Sequence, residues 1–219
     1  AYLQSWDPTM RAALVKSGTL LLSKTNNFSP SDGYLAFQLD MIFGGTTYRD
    51  HLTANFYGPL SAGTYNKGGA GILYDTAGYV NLIRTARASQ GIANLAAWDV
   101  GMGLVAAASC GVSGADLDAW IAGVKAEINE LDGEEYYDVL GLAGALYALA
   151  FVGEEFDPTS GEHADASCLA DLAAILASYQ IDGGGFAWNS NYVILNDNNE
   201  TIQETAYAIL ALAQVNPTG

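Results

Sequence analysis

The sequence predicts an all-α domain built from paired helices, and two observations lead to this prediction. Half of the 219 residues are hydrophobic, which is enough to bury a sizeable core. In the second half of the chain, segments with one apolar face alternate with segments that are apolar on nearly every side. We find no interdomain linker, so residues 1–219 are predicted to form a single domain, either a whole protein or part of a larger one.

Two segments are typical of helices with one face in water. Apolar residues recur at helical spacing over residues 116–131 and again over residues 163–179, with the charged side chains elsewhere. Residues 100–110, 139–152 and 205–215 are apolar nearly all round and rich in Ala and Gly. A helix that is apolar on every side has to be buried on every side. The alternation therefore predicts an α/α toroid, in which an inner ring of apolar helices is surrounded by an outer ring of amphipathic helices.

The first half of the chain predicts further helices with less regular connections. Helices are expected over residues 8–23, 34–43 and 75–88. Residues 55–71 contain five glycines and Pro59, which are typical of a long loop or an irregular hairpin. With these helices the chain has room for about four to five helix pairs.

The charge of the chain is uneven and limits its partners. The formal net charge is -16, with residues 1–90 near +2 and residues 91–219 near -18. An acidic surface of this size repels phosphate backbones and anionic lipid headgroups. Nucleic acid is therefore not expected as a partner, whereas neutral or cationic ligands and protein partners are. The acidic half also fits a solvated surface that keeps the protein soluble.

Other features of composition suggest an extracellular or cell-surface protein. Lys is scarce, and the loops are rich in Asn, Ser and Gly. The first residue is Ala1 rather than Met, as in a processed domain. The two cysteines, Cys110 and Cys168, lie in Ala-rich stretches that favour buried reduced thiols. The longest apolar run, residues 139–152, is too short for a membrane span, so none is predicted.

One segment carries a family resemblance. The segment consists of Gln180-Ile181-Asp182-Gly183-Gly184-Gly185-Phe186, and Thr205-Ala206-Tyr207-Ala208 follows it. It resembles the Gln-x-x-x-Gly-x-aromatic repeat that is found in squalene and other terpene cyclases and in protein prenyltransferase β subunits. The resemblance covers residues 163–215. It implies an α/α toroid in which this turn ends an outer helix and braces the next inner helix, with Gln180 bonded to backbone groups and Phe186 packed on the helix ends.

The catalytic motifs of those families have no counterpart. In place of the Asp-x-Asp-Asp acid of class II terpene cyclases the chain has only Asp116-Leu117-Asp118. The nearest match to the zinc ligands of prenyltransferases is His163, Asp165 and Cys168, whose spacing does not converge on one helical face. We therefore predict neither a metal site nor a cofactor.

Aromatic-Asp pairs mark several expected helix starts, and they have two explanations. Asp caps free amides of the first turn while the aromatic residue packs beside it. Alternatively, the pairs at the starts of inner helices all lie at one open end of the toroid, which we call the mouth, and bind a ligand there. Trp6-Asp7 belongs to the same pattern. The candidate ligand-binding residues of this mouth are Tyr74, Asp75, Trp98, Asp99, Tyr137, Asp138 and Trp188.

Two further clusters were weighed. The first contains Tyr48, Arg49 and His51, which provide a Tyr or His base beside an Arg cation. A polysaccharide lyase uses such a pair to remove a proton next to a uronate carboxylate. Residues this close in sequence are also typical of a surface turn. Asp197-Asn198-Asn199-Glu200 concentrates oxygen ligands without the spacing of a calcium loop, so capping of the last helix is expected. Asn199 also begins a glycosylation sequon.

The leading functional hypothesis is a secreted or cell-surface toroid domain that binds a ligand at this mouth. The ligand is a glycan, another small molecule or a protein partner, and no intact catalytic motif accompanies the site. The first alternative is a carbohydrate-active lyase or hydrolase with its site at the same mouth. The second is an isoprenoid cyclase or transferase, which would need a deep aromatic cavity and an acid motif.

Overall fold

The protein is mostly helical, as the sequence predicts. The computed structural model describes residues 7–68, 71–194 and 200–216. Helices account for 65% of the residues and strands for 2%. Trp6 and residues 197–199 of the sequence hypotheses lie outside the described residues.

The helices are numbered in chain order. They are α1 (Pro8–Ser23), α2 (Pro30–Phe43), α3 (Thr47–Leu52), α4 (Gly58–Ser61), α5 (Thr76–Ser89), α6 (Leu95–Ser109), α7 (Ala115–Glu130), α8 (Asp138–Val152), α9 (Leu169–Ser178), α10 (Asn191–Ile194) and α11 (Ile202–Val215). A π-helical turn, Thr53–Tyr57, joins α3 to α4. Strands β1 (Tyr65–Asn66) and β2 (Leu73–Tyr74) pair in an antiparallel hairpin. Of the two strands, β1 lies within residues 55–71, which were expected to form a loop or irregular hairpin, and β2 lies just after them.

The larger helices pack in two rows. In the central row, α2 contacts α6, α6 contacts α8, and α8 contacts α11. In the flanking row, α1 packs on α2, α5 and α7 pack on α6, and α9 packs on α8 and α11. Each flanking helix is followed in the chain by a central one, so the described residues contain four helix pairs. Buried side chains from Leu21 to Ala211 form one hydrophobic cluster.

The two rows run in opposite directions. Arg87, near the end of α5, bonds to Asp99 in the first turns of α6. At the other end, Thr76 in the first turn of α5 bonds to Asp116 in the first turn of α7. Central helices therefore begin where flanking helices end. We call the end of the molecule where central helices begin the upper end, and it includes the loops before α6 and α8. The Asn94 side chain joins these two loops through its bonds to the backbone of Asp132.

Glycines let α6 and α8 approach closely. A Cβ atom on Gly101 would lie 2.6 Å from the carbonyl oxygen of Gly144, and one on Gly144 would lie 2.8 Å from the Cα atom of Trp98. At these positions backbone meets backbone, so any side chain would separate the helices. The glycines in these two apolar segments therefore explain why α6 and α8 pack directly against each other.

Three expectations need correction. The last segment, 205–215, is not buried on every side, since Ile209 and Leu210 of α11 are 58% and 41% exposed. The described helices that pack on α11, chiefly α8 and α9, cover only part of its circumference. The helix expected from residue 163 begins at Leu169, because the backbone of Cys168 is extended, with φ of -164° and ψ of 172°. Asp171 in the first turn accepts bonds from the backbone and hydroxyl of Ser167, which lies before the helix.

The second helix begins at Pro30 rather than Tyr34. Ser29 and Asp32 form a reciprocal capping box at its start. Among the described residues, no helix combines the length and apolar character needed to cross a membrane.

Candidate functional site

A cleft opens at the upper end, between the loop that follows α7 and the segment that contains α10. Its volume is about 820 Å³, within the usual range of ligand sites. The walls combine carboxylates, amides and hydroxyls with a few apolar groups. The lining residues are Asn129, Glu130, Leu131, Asp132, Gly133, Glu134, Gly161, Glu162, Ser178, Tyr179, Ser190, Asn191 and Val193.

A smaller pocket adjoins the cleft, and aromatic rings form much of its wall. It has a volume of about 210 Å³ and shares Glu134 and Asn191 with the cleft. The Trp188 ring lies at its centre, with centroid distances of 5.2 Å to both Tyr136 and Tyr192. Tyr136 is 56% exposed, so its ring is available to a ligand. We call this site, lined by Glu134, Tyr136, Trp188, Asn189, Asn191 and Tyr192, the aromatic pocket.

Asn189 joins the two walls of the site. Its buried side-chain amide donates to the carbonyl oxygens of Gly133, at 3.3 Å, and Glu135, at 2.6 Å. Its own oxygen accepts from the backbone of Asn191, and the Asn191 side chain also donates to Gly133. The bonds to Gly133 and Glu135 cross more than fifty residues of chain, so they fix the position of Trp188 relative to Tyr136.

The backbone before α8 is strained. Tyr137 has a φ of +70°, a left-handed conformation that is uncommon for a residue with a large side chain. This conformation turns the chain directly into α8 and places the Tyr137 ring 5.6 Å from Trp188. Strain of this kind persists where surrounding contacts over-determine it, and here the aromatic cluster provides those contacts.

Asp138 lies behind the cleft wall, where it bonds to Ser190. It is only 3% exposed, and both carboxylate oxygens accept from the backbone nitrogen of Ser190, at 3.1 and 3.3 Å. Burial, with a smaller effect of nearby Glu162, raises its pKa to about 6 against the lowering effect of the Ser190 bonds. The raised pKa is typical of a general acid. However, the buried oxygens bond to Ser190, which makes Asp138 a link between α8 and the segment after Trp188.

The remaining carboxylates make the cleft strongly acidic. Glu130, Asp132, Glu134 and Glu162 all line it, and the lining includes no Lys or Arg. Glu130 is paired with Arg84, and one oxygen of Glu162 accepts from the backbone of Gly133 at 2.6 Å. No group of three or more His, Cys, Asp or Glu side chains in the described part of the chain is arranged to hold a metal ion.

The structure brings together part of the predicted mouth. Trp188 lines the aromatic pocket, Tyr137 packs on the Trp188 ring, and Asp138 bonds to Ser190 of the cleft. Tyr137 and Asp138 do not themselves line either cavity. Trp98 lies instead against Tyr207 of α11, with ring centroids 5.5 Å apart. Asp99 is bonded to Arg87 at the end of α5, and burial raises its pKa.

Tyr74 and Asp75 were assigned to the wrong end of the molecule. Asp75 caps α5, where its side chain accepts from Gly78, and Tyr74 lies in β2 with its ring against Tyr79. Because α5 belongs to the flanking row, its start lies opposite the upper end. The capping explanation is therefore the one that holds for Asp75.

The lyase candidates are held by separate partners. Arg49 bonds to Asp40 at 3.0 Å and to the carbonyl oxygens of Gly45 and Ser109. His51 lies 2.7 Å from the carbonyl oxygen of Lys24 through Nε2. The Tyr48 ring packs against Gly18 and occupies the space that a Cβ atom of that residue would need. None of the three lines the cleft or the aromatic pocket.

Several residues of the site were not singled out by sequence reasoning. They are Glu134, Tyr136, Glu162, Asn189, Asn191 and Tyr192. A usable signal existed, since residues 134–137 and 188–192 place aromatic residues beside acids and amides in segments with no helical periodicity.

The Gln180–Phe186 turn lies between α9 and the segment that leads to α11. Gln180 donates to the carbonyl oxygen of Gly184 at 2.7 Å, and buried Phe186 donates its backbone N–H to the Thr205 hydroxyl at 2.9 Å. The turn thereby links the end of α9 to α11. Comparisons of the chain with protein-family models, with characterised proteins and with solved structures find no match.

Proposed function

We propose that this chain is a carbohydrate-binding domain, with the aromatic pocket and the adjoining cleft as its binding site. The observation that carries the proposal is the grouping of Trp188, Tyr136 and Tyr192 around an open pocket whose other walls are Asn189, Asn191 and Glu134. It is a concave site with apolar faces and a small set of polar groups beside them, which is the usual composition of a ligand site.

The chemistry of a sugar matches both parts of this wall. A pyranose ring has an apolar C–H face, which packs on an aromatic face and removes apolar surface from water. Its hydroxyl groups both donate and accept, so they bond to amides and carboxylates at the rim. The exposed ring of Tyr136 supplies the first kind of contact, and Glu134 and Asn191 supply the second.

The proposal includes the architecture and the compartment. We infer that the four helix pairs form a small α/α toroid in which the central row is the inner ring. In support, the rings of Tyr34 in α2 and Tyr207 in α11 lie 6.4 Å apart, so the first and last central helices are near each other. We also propose an extracellular or cell-surface location, where a glycan ligand would be met.

The alternatives have less support. A lyase acting on uronates would have to attract an anionic substrate, and the cleft is acidic. A hydrolase needs a protonated carboxyl group facing the substrate, whereas Asp138, which has the raised pKa, is buried against Ser190. For an isoprenoid enzyme, Tyr34, Trp98 and Tyr207 supply aromatic rings in the central row, but no acid motif accompanies them.

The test is isothermal titration calorimetry with soluble hexasaccharides of glucose, mannose, N-acetylglucosamine and glucosamine. At least one is expected to bind, and Tyr136→Ala is expected to weaken that binding by about tenfold or more, as truncation of an aromatic anchor does. Tyr74→Ala is the matched control, because it removes the same side chain at the opposite end. The proposal fails if no sugar binds, or if both variants bind as the original chain does.

A further inference from the structure

We infer that the glycan bound at this site carries protonated amino groups, as an oligomer of glucosamine does. The inference rests on the proposed function and specifies the class of glycan. It combines two independent features of the site, the aromatic pocket and the carboxylates that continue from it into the cleft.

The first feature is the way the aromatic rings surround the pocket. Trp188 is flanked by Tyr136 and Tyr192, and Tyr137 packs on it from the side of α8. The face of an aromatic ring carries negative electrostatic potential, so a group of rings around a small pocket attracts an ammonium group as well as an apolar surface. Glu134 lies in the same wall and provides the opposite charge for that ammonium group.

The second feature is the charge along the cleft. Glu134 lines both cavities, whereas Asp132 and Glu162 line only the cleft. A polymer with one amino group on each sugar carries several positive charges, so it can place ammonium groups near carboxylates in both cavities. A neutral glycan would leave these carboxylates without a cation on binding, which costs free energy when they are desolvated.

The chain itself supplies few cations that could neutralise the site. Lys125 is the only Lys or Arg in residues 91–219, and it is paired with Glu154. Arg84 reaches the region from α5, where it is bonded to Glu127 and Glu130. Asp132, Glu134 and Glu162 have no ion pair among the described residues. Their charge is therefore available to a ligand.

A glycan fits this site better than a basic peptide does. The exposed Tyr136 ring offers a broad surface for a flat ring-shaped unit, whereas a lysine side chain is a narrow flexible stem. The cleft also has neutral polar groups, including Ser178, Ser190 and Asn129, that can bond to hydroxyl groups along an oligosaccharide.

The experiment compares two ligands that differ only in acetylation. Calorimetric titrations are run with hexamers of glucosamine and of N-acetylglucosamine at about pH 6, where such amino groups are protonated. We expect the glucosamine hexamer to bind at least about tenfold more tightly at low salt, and the preference to shrink as salt is raised. Glu134→Gln is expected to reduce the preference, whereas Asp118→Asn, which removes one exposed carboxylate at the opposite end, leaves it unchanged.

Three outcomes would overturn the inference, and they differ in what they say of the proposed function. Equal binding of the two hexamers would refute the requirement for amino groups and leave carbohydrate binding in place. Displacement of the glucosamine hexamer by hexalysine at equal concentration would show that charge alone is recognised. Failure of both hexamers and of the neutral glucose and mannose hexamers would refute the proposed function together with the inference.

Discussion

Replacing Asp138 by Asn should remove a specific pH dependence of stability. The carboxyl group is 3% exposed, and burial raises its pKa from 3.8 to about 6. A raised pKa means that the folded protein holds this proton more tightly than the unfolded chain does. The group therefore stabilises the fold fully below about pH 4, and this contribution is lost as the pH rises through about 6. The rise in pKa corresponds to about 3 kcal/mol.

The measurement is urea unfolding of the original chain and of Asp138→Asn between about pH 4 and pH 8. Asn keeps one acceptor for the Ser190 amide but does not ionise. The free energy of unfolding of the original chain, relative to that of the variant, should fall by up to about 3 kcal/mol across this range. Taking the difference between the two proteins cancels the titration of the other carboxylates. A difference that stays constant with pH would show that Asp138 is not desolvated, and the account of its link to Ser190 would be wrong.

Two further substitutions test the packing of the helices. Gly101→Ala should destabilise the protein by about 1–3 kcal/mol, because its Cβ would lie 2.6 Å from the Gly144 carbonyl oxygen and force α6 from α8; an unchanged urea midpoint would contradict the close approach. Arg87→Met should leave the buried Asp99 carboxylate without its partner, at a cost of about 3–5 kcal/mol at pH 8. Burial raises the pKa of Asp99 and Arg87 lowers it, so the variant should hold a proton on Asp99 more readily than the original chain does. The loss of stability caused by Arg87→Met should therefore be smaller at pH 5 than at pH 8. Equal losses at both pH values would refute this explanation.

The helices could be predicted because their signals are local. Pro8–Ser23 has the predicted bounds, and the apolar segments 100–110 and 139–152 lie almost entirely within α6 and α8. The periodicity of apolar residues depends on the geometry of one helix, which the sequence contains in full. Errors occurred at starts, such as Pro30 and Leu169, which depend on the bonds and the backbone conformation of one or two residues.

The site could be predicted only in part. Among the described lining residues of the two cavities, only Trp188 is a candidate from the sequence. Tyr137 and Asp138 contact the site from outside its lining, and they were singled out because an aromatic residue beside an acid at a helix start is visible in the sequence. Asp75 shares that local pattern and lies at the opposite end, since the pattern does not say whether the helix it begins belongs to the central or the flanking row. That distinction depends on which helices pack on α5, a property of the whole fold.

By itself, then, the sequence determined the helical class, the positions of the main helices and the excess of negative charge in the second half of the chain. All three follow from composition and from spacings within about twenty residues. The tertiary structure decided which of the many acidic and aromatic residues share a cavity. Asn189 bonds to Glu135 across 54 positions, and Ser190 bonds to Asp138 across 52. Contacts at such separations depend on how the helices pack, so they are not encoded in any local pattern.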